Sequence, residues 1–398
     1  MKKNLLFTCL FLVSTMLFSQ GSWLQKSSLP GSGRLAAFAF SIGPKGYIGC
    51  GQIASATYAS DFWELNEDCS WTQKANFAGG VRYSPSAFTI DSLAYVCLGF
   101  DGQCKNDVWS YNPIINTWTQ KNNFPGTARY GAFSFSIGNK AYIGMGSINY
   151  APFLTDFWQY NPATDSWMQK VSYNSLVGRL HGVGLSLNNK GYAGLGTDDG
   201  SGNYVNDFYE YDPINNSWTQ KANFPDSRGG ASYFAIDNCA YVGTGVDNNT
   251  LYTNSLWKFD PVTNAWTPIA SLGLNGRNAA IGFSIGNKGF LGFGATLSGS
   301  YLNDIWEYTP AASSIKEITS ADMAVIRIDM TNKKILLEMN AMFQCASFKI
   351  YNITGQLLSS EKIKNSTQAI NISHLSKGCY IFRMDSNGKT KSDKFIIF

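Results

Sequence analysis

Trp71-Thr-Gln-Lys74 recurs as Trp118-Thr-Gln-Lys121 and Trp218-Thr-Gln-Lys221, with variants at Trp23-Leu-Gln-Lys26, Trp167-Met-Gln-Lys170 and Trp266-Thr-Pro-Ile269. Successive Trp residues stand 48, 47, 49, 51 and 48 positions apart. That period belongs to four-stranded propeller blades rather than to helical solenoids or leucine-rich repeats.

A second landmark runs in step: Arg34, Arg82, Arg129, Arg179, Arg228 and Arg277. Within each of the six repeats an alternating apolar run, such as Ala132-Phe-Ser-Phe-Ser-Ile137, reads as a first strand. Ile137-Gly-Asn-Lys140 turns the chain into a second strand ending at Tyr142-Ile-Gly-Met-Gly146. A polar loop then leads to a third strand, Asp156-Phe-Trp-Gln-Tyr-Asn-Pro162, and Thr164-Asp165 turns into the fourth at Trp167. The sixth repeat lacks a fourth strand after Asp304-Ile-Trp-Glu-Tyr308, while Trp23-Leu-Gln-Lys26 is spare at the other end. A closed ring in which the N-terminal segment completes the last blade resolves both and leaves no long open sheet edge.

These residues resemble the kelch repeats, whose blade has a glycine-rich second strand, an aromatic third strand and a Trp after a polar turn. The likeness spans residues 21–311 and implies a six-bladed β-propeller. The family's usual Gly-Gly doublet is here Gly-x-Gly, and Cys97 replaces the first glycine in the second repeat. Kelch propellers include enzymes, sugar binders and peptide binders, so the fold does not assign a function.

Residues 1–20 read as a secretory signal peptide: Lys2 and Lys3, the apolar stretch Leu5 to Phe18, and a small residue at Ser19. No other stretch has the ~20 apolar residues of a spanning helix. From about Ala311 Trp disappears and short alternating strands follow, among them Val325–Asp329, Lys334–Glu338 and Lys394–Phe398. Seven such strands predict a small immunoglobulin-like β-sandwich, making the whole chain all-β. Residues 319–398 resemble the C-terminal sorting domain of type IX secretion cargo in Bacteroidetes. The matching residues are Tyr351, Asn352, Gly355 and Gln356, then Leu375, Gly378 and Tyr380, and last Lys394 and Phe395. The resemblance implies engagement by the type IX secretion machinery, passage through the periplasm, and release or display at the outer-membrane surface.

The tail holds 12 Lys/Arg and 7 Asp/Glu; with Lys2 and Lys3 set aside, the propeller keeps 17 and 20. No basic face or stripe is visible, which speaks against nucleic acid as a partner. Seven cysteines outside the signal show no metal-ligand spacing and leave at least one thiol unpaired. A disulfide among Cys50, Cys69, Cys97 and Cys104 stays open beside buried free thiols.

The loops between second and third strands are the longest and most variable parts of the unit, and carry Tyr58, Tyr150, Tyr204, Tyr252 and Tyr301. On a rigid scaffold such loops are where binding groups sit, and these residues suit a glycan or a protein ligand. The six arginines open the first strands on that same face. Two readings are open: a guanidinium ring for a carboxylate, or ties from each blade to a neighbour through carbonyls or acids such as Asp61, Asp107, Asp156, Asp207 and Asp304. The propeller's one histidine, His181, rules out the copper-radical oxidases of the family, which need a histidine pair. The sequence therefore predicts a binding module without cofactor or metal. The alternative is a sugar-acid enzyme similar to the six-bladed sialic acid mutarotases, with His181 and Arg179 at its site.

Overall fold

The structure is a computed structural model; it describes residues 20–398 apart from 149–152, 174–176, 200, 274, 312–315, 321–323, 330–333, 340–346, 364, 366, 377, 387–388 and 398. The expected signal segment lies outside the described residues, apart from its last residue. Among the described residues no helix is long and apolar enough to cross a membrane. The chain forms two compact units, Gly21–Pro310 and a tail from Ala311.

In the first unit each repeat is a four-stranded antiparallel sheet. Blade three runs Phe133–Ile137, Lys140–Gly144, Phe157–Asn161 and Ser166–Lys170 in sequence order. Blade six pairs Ile281–Ile285, Lys288–Gly292 and Ile305–Thr309, and its fourth strand is Ser22–Gln25, with Trp23 opposite Tyr308. The innermost strands touch in succession around the axis, and the last, Ile281–Ile285, touches the first, Phe38–Ile42. The ring of six blades is closed as the spare Trp segment predicted.

Apolar faces between blades hold the ring together. Phe133, Phe135, Tyr142 and Phe157 of blade three pack against Tyr211 and Trp218 of blade four, with ring centroids of Phe157 and Tyr211 4.8 Å apart at 78°. Such edge-to-face pairs contribute roughly 0.5–1.5 kcal/mol beyond the area they bury. Every fourth-strand Trp also donates its indole N–H to a carbonyl of the preceding blade: Trp118 to Ala75 at 3.0 Å, Trp266 to Ala222 at 2.9 Å, and Trp23 to Ala270 at 2.8 Å. The repeated Trp is thus both packing and a directional blade-to-blade bond.

The Gly-x-Gly departure has a local cause. At the end of the second strand both x and the following glycine are left-handed, as at Met145 (φ 64) and Gly146 (φ 91). A Cβ on Gly146 would lie 2.8 Å from the Tyr130 carbonyl oxygen, so only glycine fits. Its N–H donates to the Arg179 carbonyl of the next blade at 2.9 Å. The same bond recurs in every blade through to Gly294 on Arg34 at 2.8 Å, a complete circle of six.

The second unit is a sandwich of two four-stranded antiparallel sheets. Among the described residues eight strands form it rather than the seven expected, the additional one being Lys316–Ser320. Its core is Ile335, Leu337, Phe348, Ile350, Ile363, Ile370, Ile372, Leu375, Tyr380, Phe382 and Met384.

Candidate functional site

Chain direction places the loops between second and third strands, and the entries to the first strands, on one face of the propeller. Two residues after each arginine the backbone is left-handed: Ala36, Ser84, Gly131, His181, Gly230 and Ala279. The amide of each donates to the carbonyl of its counterpart in the preceding blade, from Ala36 on Ala279 (2.9 Å) through to Ala279 on Gly230 (3.0 Å). This second circle of six hydrogen bonds frames the axial mouth. Four of its members lack glycine's tolerance of positive φ, at a cost of roughly 1 kcal/mol each.

The arginines are buried inside this frame, between 0 and 7% exposed. Arg129 makes two bonds to Asp156, at 2.5 and 2.8 Å, and a third to the Met145 carbonyl at 3.0 Å. Arg34 grips Asp61 and the Cys50 carbonyl in the same way, and Arg277 grips Asp304 and the Phe293 carbonyl. Arg82 pairs with Asp107, and Arg179 with Asp207 at 2.7 Å. In four blades the indole two residues after the Asp donates to the same carboxylate, as Trp158 does to Asp156 at 2.7 Å. Burial alone would raise the carboxyls of Asp61, Asp156 and Asp304; the hydrogen bonds and charge of their arginines outweigh it and hold them below the ordinary carboxylate value. No guanidinium ring stands open at the axis. Each guanidinium ties its own blade, and the tie to the neighbour runs through the arginine's backbone carbonyl.

Blade five departs from this. Ser255 replaces the acid, so Arg228 turns to Asp226 (2.8 Å), the Ser255 hydroxyl (2.7 Å) and Thr253. The Trp257 indole N–H, which would meet the missing carboxylate, is buried without a partner.

The loop tyrosines form a crown around the mouth. Tyr58, Tyr204, Tyr252 and Tyr301 each bridge back to the first residues of their loop, and each precedes the Asp or Ser of its blade by three positions. Blade three has Phe153 at this register, bridged to Ser147; Tyr150 lies outside the described residues. Blade two has Cys104, bridged to Phe100. Alignment on the conserved spacing to the acid, rather than on residue type, finds both.

Symmetry breaks at blade two. Tyr58 lies 5.8 Å from Tyr83 and 6.0 Å from Phe100, and Tyr130 lies 5.9 Å from Tyr83 and 5.7 Å from Phe100. The His181 ring adjoins Tyr83 at 6.1 Å and Tyr130 at 6.0 Å. On the opposite side of the mouth, blades five and six hold Gly229, Gly230, Asn278 and Ala279 at the matching positions. Tyr58, Tyr83 and Phe100 are partly exposed, and the small Cys104 takes the crown position of blade two. The axial cavity beneath, lined by small residues such as Ala37, Ala87, Ala132 and Gly282, has a volume of about 120 Å³.

His181 sits where other blades carry Ala, Ser or Gly. Its Nε2 is buried without a partner, and burial pushes its pKa down to about 4. The unfolded chain binds a proton near pH 6.5 that the folded chain refuses. Stability attributable to this residue is therefore complete above pH 6.5 and falls as pH drops towards 4, by at most about 3 kcal/mol, the residue being half-buried. Thermal melts from pH 7 to 4 should show a shallower acid limb for His181→Ala than for the parent chain; identical slopes would refute this account.

Among the described residues no cluster of three or more His, Cys, Asp or Glu is placed to hold a metal. The acidic loop beginning Thr197-Asp198 is closed by Asp198, which accepts from the Ser201 amide (2.6 Å) and hydroxyl (3.0 Å). Cys50, Cys69, Cys97, Cys104, Cys239 and Cys379 are free thiols, with Cys50 and Cys97 fully buried.

In the tail, the first motif is a hairpin turn. The Asn352 side chain accepts from the Thr354 and Gln356 amides and donates to the Gln356 side chain, while Gly355 takes φ 84. Leu375 is buried and the Tyr380 hydroxyl donates to the Ser376 carbonyl at 2.7 Å. Gly378 and Tyr380 lie in strand Gly378–Ser386; Lys394 and Phe395 pair with Ile381 and Tyr380 in its last neighbour, Lys389–Ile397.

Kelch motifs match residues 82–125 and 227–273, and a secretion system C-terminal sorting domain matches residues 329–398. The propeller thus carries kelch motifs and is followed by a sorting domain. The solved structure titled "Structure of YjhT" superposes on it with a TM-score of 0.60 at 17% identity, covering 79% of this chain and 99% of that one. At that identity the likeness shows the fold alone. No curated protein matches the chain in sequence. The sorting domain marks this kelch propeller for export to the cell surface or the extracellular space.

Proposed function

We propose that the exported kelch propeller is a binding module, and that its glycan or protein ligand lies on the partly exposed rings of Tyr58, Tyr83 and Phe100, which the buried Tyr130 backs. One observation carries the reading: the six-fold pattern of the mouth breaks there. A purely structural face would repeat around the ring, as the two hydrogen-bond circles do. Partly exposed aromatic rings on rigid strand ends also cost little conformational entropy on binding, which is why they dominate hot spots. The sorting domain supplies the partner in transit, the secretion machinery, and the propeller the partner at the destination.

The test is an array of immobilised glycans and peptides probed with the full chain from Gly21. Tyr83→Ala and Phe100→Ala should each weaken capture by about tenfold or more, corresponding to ~1.4 kcal/mol, with the thermal midpoint showing that the fold survives. Capture unaffected by both substitutions would defeat the reading.

The sugar-acid enzyme draws support from His181, a neutral base at the mouth. Against it, Arg179 is buried on Asp207 and so poorly placed to receive a carboxylate.

A further inference from the structure

We propose that the ligand of the blade-two aromatic cluster is an uncharged saccharide, an inference that rests on the reading above that this cluster is the binding site. Charge is the first argument. The six loops between second and third strands contain one cation, Lys105, against Asp101, Asp198, Asp199 and Asp247. The segments that enter the first strands add the six arginines, Asp226 and three lysines at their starts, Lys26, Lys74 and Lys221. The arginines are buried on their own blades, and Lys26, Lys74 and Lys221 are held by Glu307, Glu64 and Glu210; the loops themselves offer Lys105, and that ammonium is paired with Asp101 at 2.8 Å. An acidic sugar, a phosphate or an acidic peptide would meet three further loop carboxylates, Asp198, Asp199 and Asp247, and no open cation in these loops.

Backbone geometry is the second argument. An extended peptide gains most of its affinity by adding to an unpaired strand edge. At the mouth both backbone circles are closed, so the amides that could receive a strand already donate across blade boundaries. What the face does offer is ring surface, which suits the C–H faces of a pyranose, and one carboxylate beside one ammonium in the same loop, which suits vicinal hydroxyls. The cavity on the axis is far below the 300–1,000 Å³ of a pocket that swallows its ligand. The saccharide therefore lies across the mouth, which favours an oligomer over a monosaccharide.

Isothermal titration of the full chain from Gly21 tests this, using cellohexaose, xylohexaose and mannohexaose as neutral probes, and trigalacturonate and sialyllactose as acidic ones. A neutral hexaose should bind with little change between low and high salt, and Phe100→Leu, which keeps the apolar volume and removes the ring, should weaken it at least about tenfold. Binding only of the acidic probes, binding that falls steeply with salt, or no binding of any neutral hexaose would each overturn the saccharide assignment. Those outcomes leave the aromatic site itself standing if Phe100→Leu still abolishes capture of another array ligand. Neutral binding untouched by Phe100→Leu and Tyr83→Ala would instead show that the site is elsewhere.

Discussion

Removal of residues 21–26 is expected to abolish the cooperative thermal transition of the propeller at temperatures where the parent chain is folded. Those few residues close the ring. Trp23 lies 5.0 Å from Tyr308 with the rings tilted at 46°, meets Phe234 edge-on at 6.2 Å, and donates to the Ala270 carbonyl. Strand Ser22–Gln25 pairs along the whole of Trp306–Thr309, the Lys26 amide reaches the Ile305 carbonyl at 2.9 Å, and its ammonium reaches Glu307 at 3.2 Å. Trp23 is half-buried against the core, and losing a fully buried Trp costs roughly 3–5 kcal/mol, an upper bound for its share. The lost strand pairing and the newly exposed edge of blade six add to that, against a total stability of roughly 5–15 kcal/mol. Calorimetry of the truncated chain should show a broad, low-temperature transition or none, and a synthetic peptide of residues 21–30 supplied in excess should partly restore it. An unchanged midpoint would mean that the ring does not depend on its closing strand.

The repeat made the ring legible because every blade repeats the same packing problem and solves it with the same residues. Trp118, Arg129 and Gly146 can be found by counting, since each has five counterparts at a fixed spacing. Roles were harder to read than positions. An arginine that opens a strand on the loop face looks like an anion ligand until the partner 27 residues on is seen to hold it, as Asp156 holds Arg129. The site was least legible because it is made of departures from the repeat. Tyr83, Phe100 and Tyr130 come from blades two and three and meet only once the ring is folded; Tyr83 and Tyr130 each follow an arginine, but at a position where the other blades carry Leu, Gly or Asn, and Phe100 lies at a different position of the repeat. Choosing Tyr150 by residue type missed Phe153, which the distance to Asp156 singles out. In the tail, strand Lys316–Ser320 falls in the polar run that follows the last blade, where alternation is too weak to announce it.

Replacing Arg129 by Ala should be the most damaging single substitution in the blades, lowering stability by roughly 3–5 kcal/mol, the usual consequence of removing one partner of a buried ion pair. The guanidinium is fully buried, lies 4.9 Å over the Phe124 ring, and its loss leaves the Asp156 carboxylate dependent on the Trp158 indole alone for a strong donor. For a unit of this size the thermal midpoint should fall by about 10 °C. Arg129→Lys should recover little, because one ammonium cannot replace two parallel bonds to the carboxylate together with those to the Met145 and Thr127 carbonyls. The double variant Arg129→Met/Asp156→Leu should be less destabilised than Arg129→Ala, since no charge is then left unpaired. Blade five supplies the reciprocal experiment. Ser255→Asp gives Arg228 the carboxylate that the arginines of the other blades hold and gives the Trp257 indole an acceptor, so it should raise stability by about 1–2 kcal/mol. A neutral Arg129→Ala, or a Ser255→Asp that destabilises by as much as the arginine loss, would show that these ties do not carry the stability of the blades.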